Sequence, residues 1–150
     1  MSRVCGWLFG VVLGAFLMGP ASAGERYAVG IQGGVLGYGG ISGKMALDDK
    51  LTLQAVFGGS AGGVGATGRA LFELHDEEVY RVYGIGELGA GYGNDNIGMG
   101  VGFGAGIEAN WQELVENVIP LWWSAEGGIK YVLGNVPTPM FEIGIHYKIK

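Results

Sequence analysis

The clearest pattern along the chain is a strict alternation of residue types over positions 97–111. Every odd position is apolar, from Ile97 to Trp111, and every even position is glycine, glutamate or asparagine. A period of two places alternate side chains on opposite faces of a β-strand. Strands of soluble domains usually have about five or six residues, whereas a membrane-spanning strand needs about nine to eleven. The segment therefore predicts a membrane-spanning strand with an apolar outer face.

The same alternation predicts eight strands in all. They span about 26–33, 40–47, 51–58, 67–75, 79–90, 97–111, 120–133 and 140–149. Each strand has one apolar face and one face of polar or small residues, as in barrels that face lipid outside and a lumen inside. The predicted fold class is all-β: an eight-stranded antiparallel up-and-down transmembrane β-barrel.

The connections fall into two sets, which an up-and-down meander places at opposite ends of the barrel. Those after strands 2, 4 and 6 include the acidic segments 48–50, 75–78 and 112–119. The other set is rich in glycine, and we expect it to form looser loops at 34–39, 58–66, 91–96 and 134–139. Outer-membrane barrels begin and end on the periplasmic side, so the acidic set is expected there. Apolar spacing over 111–119 predicts a short amphipathic helix at that rim.

The polar faces of the strands carry the candidate site. An eight-stranded barrel has an interior just wide enough to be filled by side chains, and charges away from water must be paired. The predicted lumen charge network consists of Lys44, Arg69, Glu73, Arg81, Glu87, Glu108, Glu126, Lys130 and Glu142, with Lys148 as a fifth cation. On the histidines, we place both His75 and His146 on inward faces.

The glycine face of segment 97–111 has a geometric role in this interpretation. A wall without side chains leaves room for residues of other strands to extend across the lumen. The residues expected to do so are Arg81, Tyr83, Trp122 and Glu126. A lumen filled by side chains is therefore favoured over a water-filled pore.

Aromatic residues on the apolar faces lie near the predicted strand ends. They are Tyr27, Tyr80, Trp111, Trp123, Tyr131 and Tyr147. Amphipathic rings prefer the interface between membrane and water. Their positions favour two aromatic girdles.

The N-terminal segment has the pattern of a secretory signal peptide. Arg3 precedes a continuous apolar run over 6–18, and Ala21-Ser22-Ala23 has the small-x-small pattern of a cleavage site. We expect residues 1–23 to be removed and residues 24–150 to form one β-barrel domain. The only cysteine lies in the leader, so the mature domain is expected to hold together without disulfides. The net charge of −5 argues against a nucleic-acid partner.

No motif in the chain predicts chemistry. The histidines His75 and His146 have no metal-ligating neighbour at short spacing, and the mature serines Ser42, Ser60 and Ser124 lie in no nucleophile-elbow sequence. The glycines around 98–102 alternate inside a strand, whereas a nucleotide fingerprint needs them at a turn. We therefore expect no catalysis, no cofactor and no metal.

Three segments carry a resemblance to a known family. They are Tyr83-Gly-Ile-Gly-Glu-Leu-Gly-Ala-Gly-Tyr92, the alternation over 97–109, and Ser124-Ala-Glu-Gly-Gly-Ile129. With these, residues 24–150 resemble the small bacterial outer-membrane β-barrel proteins, the porin-like or OmpA-type eight-stranded class. The resemblance implies a location in the bacterial outer membrane, lipid as the surrounding partner, a monomer, and a structural or interaction role.

Two alternatives remain open at this point. The first is a soluble secreted or periplasmic barrel that binds a small apolar ligand, which the short strands 2 and 3 and the non-aromatic C-terminus leave possible. The second is a lipid-modifying outer-membrane enzyme. Deacylases of that kind carry a His-x-Ser pair, whereas this chain has His146-Tyr147-Lys148, so no catalytic residue can be carried over. A continuous apolar outer face favours the membrane over the first alternative.

Overall fold

The computed structural model describes residues 26–34, 39–60, 62–93, 96–111, 119 and 121–149. They form eight strands: β1 Tyr27–Gly34, β2 Gly39–Ala46, β3 Leu51–Ser60, β4 Gly63–Asp76, β5 Tyr80–Gly93, β6 Asn96–Asn110, β7 Leu121–Val132 and β8 Thr138–Ile149. Consecutive strands pair antiparallel, and β8 pairs with β1 to close the barrel. The predicted eight-stranded up-and-down barrel is confirmed. The signal peptide, and residues 112–118 of the expected helix, lie outside the described residues.

Among the described residues, no helix is both long enough and apolar enough to span a membrane.

Strand β6 shows the predicted alternation directly. Its odd positions face outward, and the side chains of Ile97 and Phe103 are 73% and 65% exposed. Its even positions face the lumen, where Gly102 and Glu108 are buried. Ala109 is the exception, because this small residue lies between the larger Tyr80 and Trp123 in the register and is buried although it belongs to the outward face.

The two ends of the barrel differ in their connections. We call the rim where β1 begins and β8 ends the terminal rim, and the opposite one the far rim. The expectation of loose far-rim loops at 58–66 and 91–96 is wrong, because the strands extend into both segments. Only residues 61–62 separate β3 from β4, and only residues 94–95 separate β5 from β6. Glycine has the same backbone N–H donor and C=O acceptor as other residues, so the pairing between strands continues through these glycine-rich segments.

A second correction concerns His75. The register of β4 against β5 shifts between Glu73, opposite Tyr83, and His75, opposite Val82. One extra residue in a strand reverses the orientation of those beyond it. His75 therefore lies outside the lumen, exposed, with its Nε2 3.3 Å from Glu77 Oε1.

The register also arranges the lumen residues in tilted rows. Because barrel strands tilt against the axis, a row of directly paired residues climbs from one rim toward the other. One such row contains Ala28, Lys44, Gln54, Arg69, Glu87, Gly102, Lys130 and Thr138. Its cations consequently lie at increasing heights in the lumen, with Lys44 near the terminal rim and Lys130 near the far rim.

Candidate functional site

The buried charged side chains of the described residues lie in the interior of the barrel. Glu108, Glu126 and Glu142 are each only 1% exposed. Lys44, Arg69, Glu87 and Lys130 are also buried, while Glu73 and Arg81 are half-buried. The nine residues of the predicted network all lie on the lumen side and group into two clusters at different heights. Their role as a functional site stays a prediction.

The first group, which we call the Arg69 cluster, consists of Arg69, Glu87, Glu126, Lys130 and Glu142. Glu126 and Glu142 are direct register partners on β7 and β8, so two carboxylates lie side by side. Arg69 extends to them from β4 on the opposite wall, with Nη1 2.8 Å from Glu126 Oε2 and Nη2 in contact with Glu142. Nη2 also lies 3.1 Å from Glu87 Oε2. One guanidinium therefore bridges the lumen and joins three carboxylates.

Glycines of β6 leave room for two side chains of β5 to contact side chains of β7. Glu87, Gly102 and Lys130 are consecutive in one row, and Glu87 passes over Gly102 to within 3.3 Å of Lys130 Nζ. A Cβ on Gly102 would meet Glu87 Cγ at 2.7 Å.

Tyr83 makes the second crossing. It passes over Gly106 in the same way, and its hydroxyl donates to Glu126 Oε1 at 2.8 Å. The prediction that the glycine face gives Tyr83 room to extend across is confirmed. The passage of Glu87 over Gly102 was not predicted.

The second group, the mouth cluster, lies near the terminal rim and consists of Lys44, Glu73, Arg81 and Glu108. Lys44 extends from β2 across the lumen to β6, where its Nζ is 2.8 Å from Glu108 Oε1. Arg81 Nε donates to the other oxygen of Glu108 at 2.7 Å. Glu73 is the most loosely held member, with an Oε2 4.0 Å from Arg81 Nη1. Two cations thus share one deeply buried carboxylate.

Uncharged polar residues lie between the two clusters and are hydrogen-bonded to the Arg69 cluster. His146 Nε2 lies 2.9 Å from Ser42 Oγ, and Gln54 Nε2 donates to the same hydroxyl at 2.8 Å. Gln54 also contacts Gln32, whose Nε2 donates to Glu126 at 2.7 Å and to Glu142 at 2.9 Å. Reasoning from charge alone missed these four residues as members of the network. Their position on the inward strand faces was the available signal.

Ser42, His146 and Glu108 superficially form a serine–histidine–acid arrangement. The Ser42 hydroxyl is 0% exposed, and His146 Nδ1 lies 3.8 Å from Glu108 Oε1, which is longer than a hydrogen bond. The same carboxylate oxygen is already held by Lys44. A nucleophile must be reachable by substrate and its base must be oriented by the acid. The geometry fits a structural hydrogen bond better than a nucleophile.

The described residues contain no group of three or more histidine, cysteine, aspartate or glutamate side chains that could hold a metal ion.

The architecture has a solved counterpart. It is the N-terminal β-barrel domain of Pseudomonas aeruginosa OprF, whose crystal structure superposes with a TM-score of 0.58 at 15% sequence identity. The match covers 85% of this chain and 100% of that one. Similarity at this identity establishes a shared fold, that of a closed eight-stranded antiparallel barrel.

No protein-family model matches the chain, and no curated protein sequence matches it.

Proposed function

We propose that the mature chain spans the bacterial outer membrane as a monomeric β-barrel, with its terminal rim in the periplasm and its lumen closed by side chains. Its role is structural or one of interaction, without catalysis. The observation that carries the proposal is the inside-out distribution of polarity. Large apolar side chains cover the outside of the closed barrel, whereas the buried charged side chains lie within it.

The outer surface supports lipid as the surrounding medium. Exposed large apolar residues occur on all eight strands, among them Val29, Ile41, Phe57, Phe72, Leu88, Phe103, Ile129 and Ile143. Soluble monomers rarely expose contiguous apolar patches larger than about 300–600 Å². A band that surrounds the whole barrel is instead what a transmembrane barrel presents to hydrocarbon.

Aromatic residues support a membrane-spanning position, with one rim of the barrel at each interface. Near the terminal rim, outward aromatic side chains occur on β1, β5, β7 and β8 and directly after β6: Tyr27, Tyr80, Trp123, Tyr147 and Trp111. Toward the far rim, Tyr92 and Tyr131 are also exposed. Such rings prefer the two interfaces of a membrane.

The Arg69 cluster supports a closed lumen. The Arg69 side chain joins β4 to β7 and β8, and the Lys44 side chain joins β2 to β6, so ion pairs cross the interior at two heights. An eight-stranded barrel is only wide enough for side chains to fill it. These crossings favour a filled lumen over a conducting pore.

The polar lumen also weighs against a soluble barrel around an apolar ligand. Such a binding site would need a cavity lined mainly by apolar side chains. The mid-lumen positions hold Arg69, Glu126 and Glu142 instead.

The experiment that tests the proposal is heat-modifiable gel migration combined with fractionation. We expect the mature protein in the detergent-extracted outer-membrane fraction, and we expect an unboiled sample to migrate differently from a boiled one because the closed barrel resists the detergent. Recovery of the folded protein in the soluble periplasm would contradict the proposal.

A further inference from the structure

The terminal mouth of the lumen contains a small cavity that the mouth cluster does not fill. Its volume is about 30 Å³. Lys44, Glu108 and His146 form its deep wall, while Arg26 and Lys148 line it at the rim. A water needs a cavity of about 10–15 Å³ by this measure, so the space suits one or two waters or a single small polar group.

The cavity wall has an excess of positive charge. Among the described residues, it carries four cations, Arg26, Lys44, Arg81 and Lys148, and one carboxylate, that of Glu108. Glu108 is already shared by two of these cations. Other carboxylates lie at the rim outside this wall, since Glu73 interacts electrostatically with Asp49 and Asp76 as well as with Arg81 and Lys148. The excess therefore holds only for the residues that line the cavity.

The Arg69 cluster has the opposite balance. There, two cations face three carboxylates. The positive excess therefore belongs to the wall of the mouth cavity and not to the Arg69 cluster. A partly desolvated positive site attracts anions more strongly than a cation in open water does.

A deeply buried polar atom in the wall is also without a hydrogen bond. The Nε2 of His146 faces the Ser42 hydroxyl, whereas its buried Nδ1 makes no hydrogen bond among the described residues and lies 3.8 Å from Glu108 Oε1. Buried polar atoms are normally satisfied by protein or ordered water. Since His146 lines the cavity, a group bound there could satisfy this nitrogen.

Trp122 holds two of the cations at the mouth. Lys148 Nζ lies 3.5 Å from the centroid of its ring, and the guanidinium carbon of Arg81 lies 5.5 Å from it. Cation–π contacts of this kind fix the position of otherwise flexible side chains. The indole is therefore both part of the wall and a reporter placed at the site.

We propose that this cavity, bounded by Arg81, Trp122, His146 and Lys148, binds a single carboxylate group that enters from the terminal rim. Its volume excludes a larger ligand from the interior, so the rest of such a ligand would stay outside. The carboxylate belongs either to a small free acid or to the C-terminal end of a peptide. The site requires only the closed barrel, and its assignment to the periplasmic side rests on the proposed function.

The indole N–H resonances of the refolded barrel in detergent micelles test this proposal. The mature chain has three tryptophans, of which Trp122 faces the lumen and Trp111 and Trp123 face outward. During a titration with sodium acetate at constant ionic strength, we expect a saturable shift of the Trp122 resonance alone. Equal shifts of all three resonances, or no saturable shift with either acetate or a peptide carboxylate, would overturn the proposal.

A matched pair of variants assigns the site. Lys148→Gln should weaken acetate binding about three- to ten-fold, the usual range for one charge-assisted contact. Lys50→Gln removes an exposed cation from the β2–β3 turn at the same rim and should leave binding unchanged. Equal weakening by both variants would mean that acetate responds only to net charge, which contradicts a built site.

A second arm distinguishes the source of the carboxylate. A short peptide with a free C-terminus is compared with the same peptide carrying a C-terminal amide. If the free peptide binds more tightly than acetate and the amide does not bind, the site takes chain ends. If acetate binds and neither peptide does, it takes small acids. Because the refolded barrel is used in either case, these outcomes do not depend on where the protein resides in the cell.

Discussion

The Arg69 cluster and the mouth cluster contain the same kinds of side chain but differ in depth, in charge balance and in openness. The deep cluster has more carboxylates than cations, and Gln32 and Tyr83 donate additional hydrogen bonds to two of them, Glu126 and Glu142. The mouth cluster has two cations and two carboxylates, and it borders a cavity that two further cations, Arg26 and Lys148, also line. The difference indicates that a charged side chain far from water needs several ion-pair or hydrogen-bond partners within the protein. A charged side chain near the rim can instead interact with water or with a bound group.

The largest effect is expected from removing the centre of the deep cluster. Arg69→Met leaves Glu126 and Glu142 adjacent and without their shared cation. Breaking a buried ion pair from one side costs about 3–5 kcal/mol, so we expect a loss of that order in urea unfolding of the barrel in lipid vesicles.

A control variant separates charge from volume at this position. Combining Arg69→Met with Glu126→Gln and Glu142→Gln removes the uncompensated carboxylates and should recover most of the lost stability. If the single variant is as stable as the native barrel, Arg69 does not hold the deep cluster together.

The glycine passages are the next most sensitive feature. Gly102→Leu would place a side chain where Glu87 crosses to Lys130, and overpacking costs about 1–3 kcal/mol or more. We expect a loss of about that size in urea unfolding, together with a weakened heat-modifiable band. Gly86→Leu on the outer face of β5, where a Cβ would meet nothing within 4 Å, should fold normally. Normal folding of both variants would mean that Gly102 does not face a filled lumen.

The hydrogen bonds of the uncharged polar residues between the two clusters should contribute less to stability. Ser42→Ala removes the acceptor of Gln54 and the partner of His146. Leaving buried polar groups unsatisfied costs about 1–3 kcal/mol, which urea unfolding would detect. Thr138→Ala, whose hydroxyl makes one 3.4 Å contact to the Lys130 carbonyl, is the comparison and should change stability by less. If the two variants behave alike, the polar chain through Ser42 is not structural.

The smallest change in stability is expected at the mouth. Lys148→Gln removes a half-buried cation over Trp122, a contact of about 0.5–1 kcal/mol. Its effect in urea unfolding should be well below that of Arg69→Met. If Lys148→Gln lost as much stability as Arg69→Met, the two clusters would not differ in their contribution to stability, and the comparison would be wrong.

Much of this architecture could be predicted from the sequence, because a period of two is visible residue by residue. The alternation over 97–111 gave the face of each residue in β6, and it carried over to Lys44, Arg69 and Glu142 on other strands. His75 shows the limit of the method, because a β-bulge reverses the orientation of residues beyond it without changing the local composition.

The pairing of the charges could not be predicted from face alone. Glu126 and Glu142 become neighbours through the register of β7 and β8, and Arg69 joins them from the opposite wall. Such contacts depend on how the barrel closes. The uncharged members Gln32, Ser42 and Gln54 were visible on the inward faces, but their hydrogen bonds follow from the same closure.

The most direct test of the central claim is a spin-label depth profile along the outer face of β6. Residues 24–150 contain no cysteine, so single cysteines at Val101, Phe103, Ala105 and Ile107 of this segment can each be labelled and the barrel refolded into lipid vesicles. The account predicts high accessibility to oxygen and low accessibility to a water-soluble paramagnetic reagent, with an extreme near the middle of the series. Equal, high accessibility to the water-soluble reagent at all four positions would contradict a membrane-spanning barrel.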